Sequence, residues 1–154
     1  MVWQSADGVS IHYVIDATAG IGYVTLAGPD EVTVGRFVSE AVNALSPWTL
    51  EQLFREFDRS EDVVERGRLT LRIGLAAPAA SNTGCLQRIQ QSLTHVDPRI
   101  RLAAVWAASY TGYSEFTSLV RDTAESDPEE WLRVRAASVV DAFEAANPHG
   151  PDAS

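Results

Sequence analysis

Hydrophobic and polar residues recur with two different periods along this chain. In residues 11–16 (IHYVID) and 21–26 (IGYVTL), β-branched and aromatic side chains cluster over strand-sized runs. Ala17, Thr18, Ala19 and Gly20 between them supply a short turn ending in glycine. The pattern predicts a β-hairpin. Two strands alone are marginal in water, so the hairpin is expected to lean on helices, to recruit Val2–Gln4 as a third strand, or to pair with another chain.

After Gly28, Pro29 and Asp30 the period changes to that of a helix. Val34, Phe37, Val38, Ala41, Val42 and Leu45 fall on one stripe of a helix that closes near Ser46 and Pro47. Thr49 with Gln52 has the capping-box spacing, and Leu50, Leu53, Phe54 and Phe57 give the next helix its apolar face. Ser60 is placed to cap a third helix carrying Val64, Gly67, Leu71 and Leu75, which the 77–82 segment interrupts. A helix with Cys85, Leu86, Ile89 and Leu93 leads to Asp97 and Pro98, whose helix runs to Gly112. Ser114 opens a helix with Phe116, Leu119 and Val120, and Asp127 and Pro128 begin the last one. Asn147, Pro148 and Gly150 then stop it before a frayed tail. The expected division is a β-hairpin segment packed on the helices at 1–30, a helical domain at 31–146 and a flexible tail at 147–154.

The two Asp-Pro segments are similar to each other. Laying DPRIRLAAVWAA over DPEEWLRVRAASVV with four extra residues after the Asp-Pro of the second pairs Ile100 with Val134, Arg101 with Arg135 and Ala103 with Ala137, each 34 residues apart. A weaker third copy lies 36 residues upstream, pairing Val64 with Ile100 and Gly67 with Ala103. Three tandem helical hairpins are implied.

The pattern of Asp-Pro, a branched apolar residue, arginine and small alanines over residues 49–145 resembles HEAT-like repeats, in particular the short type found in phycobilin lyases and bacterial scaffold proteins. The resemblance implies a mainly α fold, an αα-hairpin solenoid with a small N-terminal β-hairpin. It also implies close helix approach at the alanines and a ladder of hydrogen bonds between repeats, formed by Asp97, Arg101, Asp127 and Arg135. The first copy departs from the pattern, with Glu65 where arginine is expected. The tetratricopeptide alternative has a compatible period but lacks its Trp-x-x-Leu-Gly-x-x-Tyr signature. Independently of the name, the helix around Ile100 is apolar nearly all round, with Ala103, Ala104 and Ala107 on one side and Leu102, Val105 and Trp106 on the other. That marks a central helix packed against several neighbours.

Composition narrows the function. The 154 residues carry 21 acids and 12 bases, a formal charge of -9, which disfavours gripping nucleic-acid backbones or anionic membranes. Every base is arginine, so Schiff-base and P-loop lysine chemistry is excluded. Charge is uneven along the chain: residues 1–62 are net -7, 63–112 net +4 and 113–154 net -6. The basic middle reads as inter-repeat pairing or as a recognition stripe. The lone cysteine, a start without a signal-peptide pattern and the lack of a long apolar run predict a soluble cytoplasmic chain.

Chemistry-bearing constellations are missing. His12, His95 and His149 make no metal-ligand spacing, and no nucleophile elbow, Walker pattern or dinucleotide fingerprint occurs. The acid pairs Glu61 with Asp62 and Glu129 with Glu130 sit where helix first turns favour acids. Cys85 reads as a buried thiol. The expectation is therefore a noncatalytic protein-interaction module without cofactor or metal, its specific form an acidic inhibitor or immunity-type protein whose acidic faces occupy a partner's basic site. The alternative is a cofactor-handling enzyme of the kind the HEAT-like lyases exemplify, and self-association through the hairpin edge is a further option. Arg68, Arg72, Arg99 and Trp106 are the candidate protein-binding residues, because arginine and tryptophan are enriched at interface hot spots. Trp106 also reads as core.

Overall fold

A computed structural model describes residues 1–17 and 20–146; the expected tail at 147–154 lies outside them. Contacts divide the chain into two compact units, Met1–Thr49 and Leu50–Ser154. The helix at 31–45 falls in the first of these units, where it contacts the strand before it.

In the first unit, β1 (Val2–Gln4), β2 (Ser10–Asp16) and β3 (Ile21–Ala27) form an antiparallel meander in the order β1-β2-β3. Of the options for supporting the hairpin, recruitment of Val2–Gln4 is seen, and the helix at 31–45 also packs on β3. Trp3 pairs with Ile11 and Ile11 with Leu26, while Tyr13 pairs with Val24 and Ile15 with Gly22. Gly20, at φ +63°, closes the β2–β3 turn with its N–H on the Asp16 carbonyl at 2.8 Å. Helix α1 (Glu31–Leu45) starts where Asp30 accepts from the Thr33 N–H at 2.8 Å. It ends at Ser46, in a left-handed conformation before Pro47. Its apolar stripe forms as the sequence predicts, yet none of its residues is buried.

The second unit holds α2 (Leu50–Arg59), α3 (Val63–Ala76), α4 (Thr83–Leu93), α5 (Pro98–Thr111), α6 (Phe116–Ser126) and α7 (Glu130–Ala146). Their caps explain their limits. Asp62, not the expected Ser60, caps α3 by accepting from the Glu65 N–H, so that helix begins two residues later than Ser60 would have set. Asn82 caps α4, and Asp97 followed by Pro98 starts α5, which ends on Gly112 at φ +65°. Ser114 makes no side-chain cap for α6; its carbonyl accepts from the Thr117 N–H instead.

Consecutive helices pack as pairs, α2 with α3, α4 with α5 and α6 with α7, and each also meets its counterpart in the next pair. One core cluster joins them all, including Leu53 and Phe57 of α2, Leu69 and Ile73 of α3, Cys85 and Ile89 of α4, Ala104 and Ala108 of α5, Phe116 and Val120 of α6, and Leu132 and Phe143 of α7. Burying each large side chain contributes about 1.5–3 kcal/mol. Helices α3 and α5 approach most closely because Gly74 offers no side chain: a Cβ there would stand 2.6 Å from the Ala107 Cα. Gly67 faces Ala103 along the same seam.

Candidate interaction surface

Three arginines reveal the register that relates these helix pairs. Arg66 donates to the Phe57 and Ser60 carbonyls at 3.0 Å each. Arg101 donates to the His95 and Val96 carbonyls at 2.9 and 3.0 Å. Arg133 donates to the Asp127 and Pro128 carbonyls at 2.6 and 3.4 Å. Each guanidinium reaches back from the first turn of α3, α5 or α7 to carbonyls at the end of the preceding helix or in the connection that follows it. The equivalent positions are therefore 66, 101 and 133, separated by 35 and 32 residues.

That register corrects the alignment made on the Asp-Pro pairs. Ile100 is 1% exposed whereas Val134 is 61% exposed, so they are not equivalent; the buried counterpart of Ile100 is Leu132. Arg135 is exposed, and it is Arg133, two residues before it, that grips the carbonyls ahead of α7. In the first copy the arginine is Arg66, one residue after Glu65. Of the expected ladder, the rung between repeats that forms is Arg101 to Asp127, with Nε to Oδ2 at 2.7 Å and Nη2 to Oδ1 at 2.9 Å. These bonds hold the Asp127 carboxyl below the usual carboxylate range against the opposing effect of burial. Asp97 turns instead to its own neighbour Arg99, with Nε at 3.0 Å and Nη2 at 2.7 Å, and is pushed down to about 2.

On α5, Arg99 and Leu102 lie within about 40° of Trp106 around the helix axis; Arg99 is exposed, while Leu102 and Trp106 are partly buried and pack against the core. The corresponding positions on α7 are Trp131 and Val134, and both are exposed. Trp106 is half-buried and packs against the core. Arg135 stands beside Val134 on the exposed face of α7. This stripe of two tryptophans, aliphatic carbons and arginines has the composition of an interface centre.

The four nominated residues divide between two places. Arg99 and Trp106 share the α5 stripe. Arg68 and Arg72 project from the side of α3 turned away from the Gly67–Gly74 seam, where both approach Glu65, at 3.9 and 3.5 Å. Trp131, Val134 and Arg135 were missed as candidates; pairing Arg101 with Arg135 sets Trp131 against Asp97, whereas the register of Arg101 with Arg133 sets it against Arg99.

Other polar groups are committed to structure. The Cys85 thiol is buried and burial pushes its pKa up, so it is a poor nucleophile there. His95 accepts the Asp97 N–H at Nδ1, 3.0 Å, which places the neutral ring's proton on Nε2. Asp62 is occupied as a cap, and the Glu129 N–H bonds Asp127. A depression of about 380 Å³ on α2 and α4 is lined by Glu51, Phe54, Arg55, Asp58 and Arg88, where Arg88 clasps Asp58 at 2.6 and 3.1 Å and lies over the Phe54 ring. A second, of about 370 Å³, contains His95, Asp122 and the Arg101–Asp127 pair. There the Thr123 and Ser126 hydroxyls donate to helix carbonyls. Among the described residues no group of three or more His, Cys, Asp or Glu is placed to hold a metal ion, and no helix is long and apolar enough to cross a membrane.

In comparisons with known proteins, no family model, no curated protein and no solved structure matches this chain.

Proposed function

We propose that this chain is a noncatalytic protein-interaction module in which three αα hairpins stack as a HEAT-like solenoid and present the outer stripe of α5 and α7 to a partner protein. The observation that carries the reading is the exposure of Trp131 (45%) and Val134 (61%) at positions equivalent to Arg99 and Leu102, which continues the Trp106 stripe onto the next helix. Isolated exposed apolar residues need no explanation, but a stripe of them with tryptophan and arginine marks a contact surface. The stacking part of the reading is supported by the two series of contacts, α2 to α4 to α6 and α3 to α5 to α7, and by the three equivalent arginines.

The test is affinity capture from the native host with the parent chain and with Trp106→Ala, Trp131→Ala, Arg99→Ala, Arg68→Ala and Arg72→Ala. A dedicated partner is expected to be retained by the parent and lost with Trp106→Ala or Trp131→Ala. Equal retention by all five variants overturns this surface.

A further inference from the structure

The amino-terminal unit leaves apolar surface bare on a scale unlike the rest of the chain. Strand register places Trp3, Ile11, Tyr13, Ile15, Val24 and Leu26 on one face of the sheet, without a charge among them. The Tyr13 ring covers Gly22 on this face, where an added Cβ would meet its hydroxyl at 2.5 Å. Helix α1 sits over one end of the same face: Val34 meets Gly28, and Gly28 also borders Val9. Val9 is the one buried residue among the described residues of the unit. Beyond Val34 the α1 stripe continues through Val38, Val42 and Leu45, which turn within about 80° of Val34 and are exposed.

The exposed parts of Trp3, Tyr13, Ile15, Val38, Val42 and Leu45 amount to roughly 500–600 Å², against about 800 Å² for one side of a standard interface. A bare sheet face beside a bare helix stripe has the form that receives an amphipathic helix. Charge selects the kind of helix. The unit holds five acids, Asp7, Asp16, Asp30, Glu31 and Glu40, and one arginine, Arg36, which is bound to Asp7 at 2.6 Å. A second copy of this chain, at -9, and an anionic lipid surface would both be repelled. We propose that this face binds a cationic amphipathic helix of a partner protein, apolar on one side with arginine or lysine along its margins. The proposal rests on the reading of the chain as an interaction module but uses a separate surface from the α5–α7 stripe.

The experiment uses the full chain and a fluorescein-labelled synthetic helix of about 18 residues built from leucine and lysine with one apolar face. Its leucine–glutamate counterpart and a lysine-matched scramble without an apolar face serve as comparisons. Fluorescence anisotropy is expected to show saturable binding of the leucine–lysine helix alone. Ile15→Ser or Val42→Ser, which leave charge unchanged, should weaken it at least about tenfold, and Trp131→Ala should leave it unchanged. Hydrogen exchange of the parent chain decides the matter if a serine variant fails to fold: the peptide should protect residues 10–27 and 31–45. Equal binding of the glutamate or scrambled peptide, serine variants that bind like the parent, or no protection in those segments overturns the proposal. So does a dimer by light scattering that Ile15→Ser abolishes, since a second copy then occupies the face. Loss of a host partner with Trp106→Ala or Trp131→Ala bears on the other surface and leaves this result untouched.

Discussion

Arg101 and Asp127 clasp each other through two parallel hydrogen bonds across 26 residues of chain, with side chains only 11% and 4% exposed. The pair ties the first turn of α5 to the entrance of α7, and Asp127 also receives the Glu129 N–H. Removing one partner leaves the other charge buried and alone, which is costlier than the pair is stabilising. Asp127→Asn is therefore expected to lower unfolding free energy by about 3 kcal/mol in urea titration. Asp97→Asn, which disturbs the exposed Arg99, should cost less. Equal losses would show that the clasp is not a buried pair.

Acid dependence follows from the same groups. The Asp97 carboxyl is held down to about 2 and that of Asp127 below its ordinary value, in each case first by hydrogen bonds from an arginine side chain. A depressed folded pKa contributes stability above the unfolded value near 3.9, and that stability is lost as pH falls through the folded one. Thermal midpoints should therefore drop between about pH 4 and pH 2, and the Asp127→Asn chain should drop less steeply over that range. Identical slopes for the two chains would remove Asp127 from the account.

Two helix glycines give opposite expectations. At Gly74 an added methyl would press on the Ala107 backbone at 2.6 Å, so Gly74→Ala should destabilise by about 1–3 kcal/mol. At Gly35, in the middle of α1, nothing lies within 4 Å, and Gly35→Ala should stabilise the first unit by about 0.5–1 kcal/mol. Denaturant midpoints of both variants check the contrast.

Between α3 and α4 the hydroxyls of Thr70 and Ser92 meet at 3.0 Å in full burial. Thr70 gives its one hydrogen to the Arg66 carbonyl at 2.8 Å, so Ser92 must donate to Thr70. Thr70→Val leaves the Ser92 donor without that acceptor and should cost about 1–3 kcal/mol. The double variant Thr70→Val with Ser92→Ala should recover part of the loss, and a double-mutant cycle measures how much.

The helices were largely legible in the sequence because their core residues recur at helical spacing, as Leu53 with Phe57 and Ile89 with Leu93 do, and because Asp97, Pro98 and Gly112 mark their ends. The register between repeats was not. Asp127 lies six residues before Arg133 and Asp97 four before Arg101, so two inserted residues bring these arginines together, whereas pairing Arg101 with Arg135 takes four. Only the shared grip on backbone carbonyls distinguishes them. The stripe of α1 was legible as apolar, but periodicity says nothing about whether another surface lies against it, and Val38, Val42 and Leu45 remain bare.

The seam at Gly67 and Gly74 has a mechanical consequence. Where backbone meets backbone there are few rotamers to exchange, so α3 and α5 should move as one stiff plate. The α5–α7 step is joined by fewer close approaches. Bending within the second unit is therefore expected to concentrate at that step, so that Arg99 on α5 and Trp131 on α7 sit on either side of the more compliant joint.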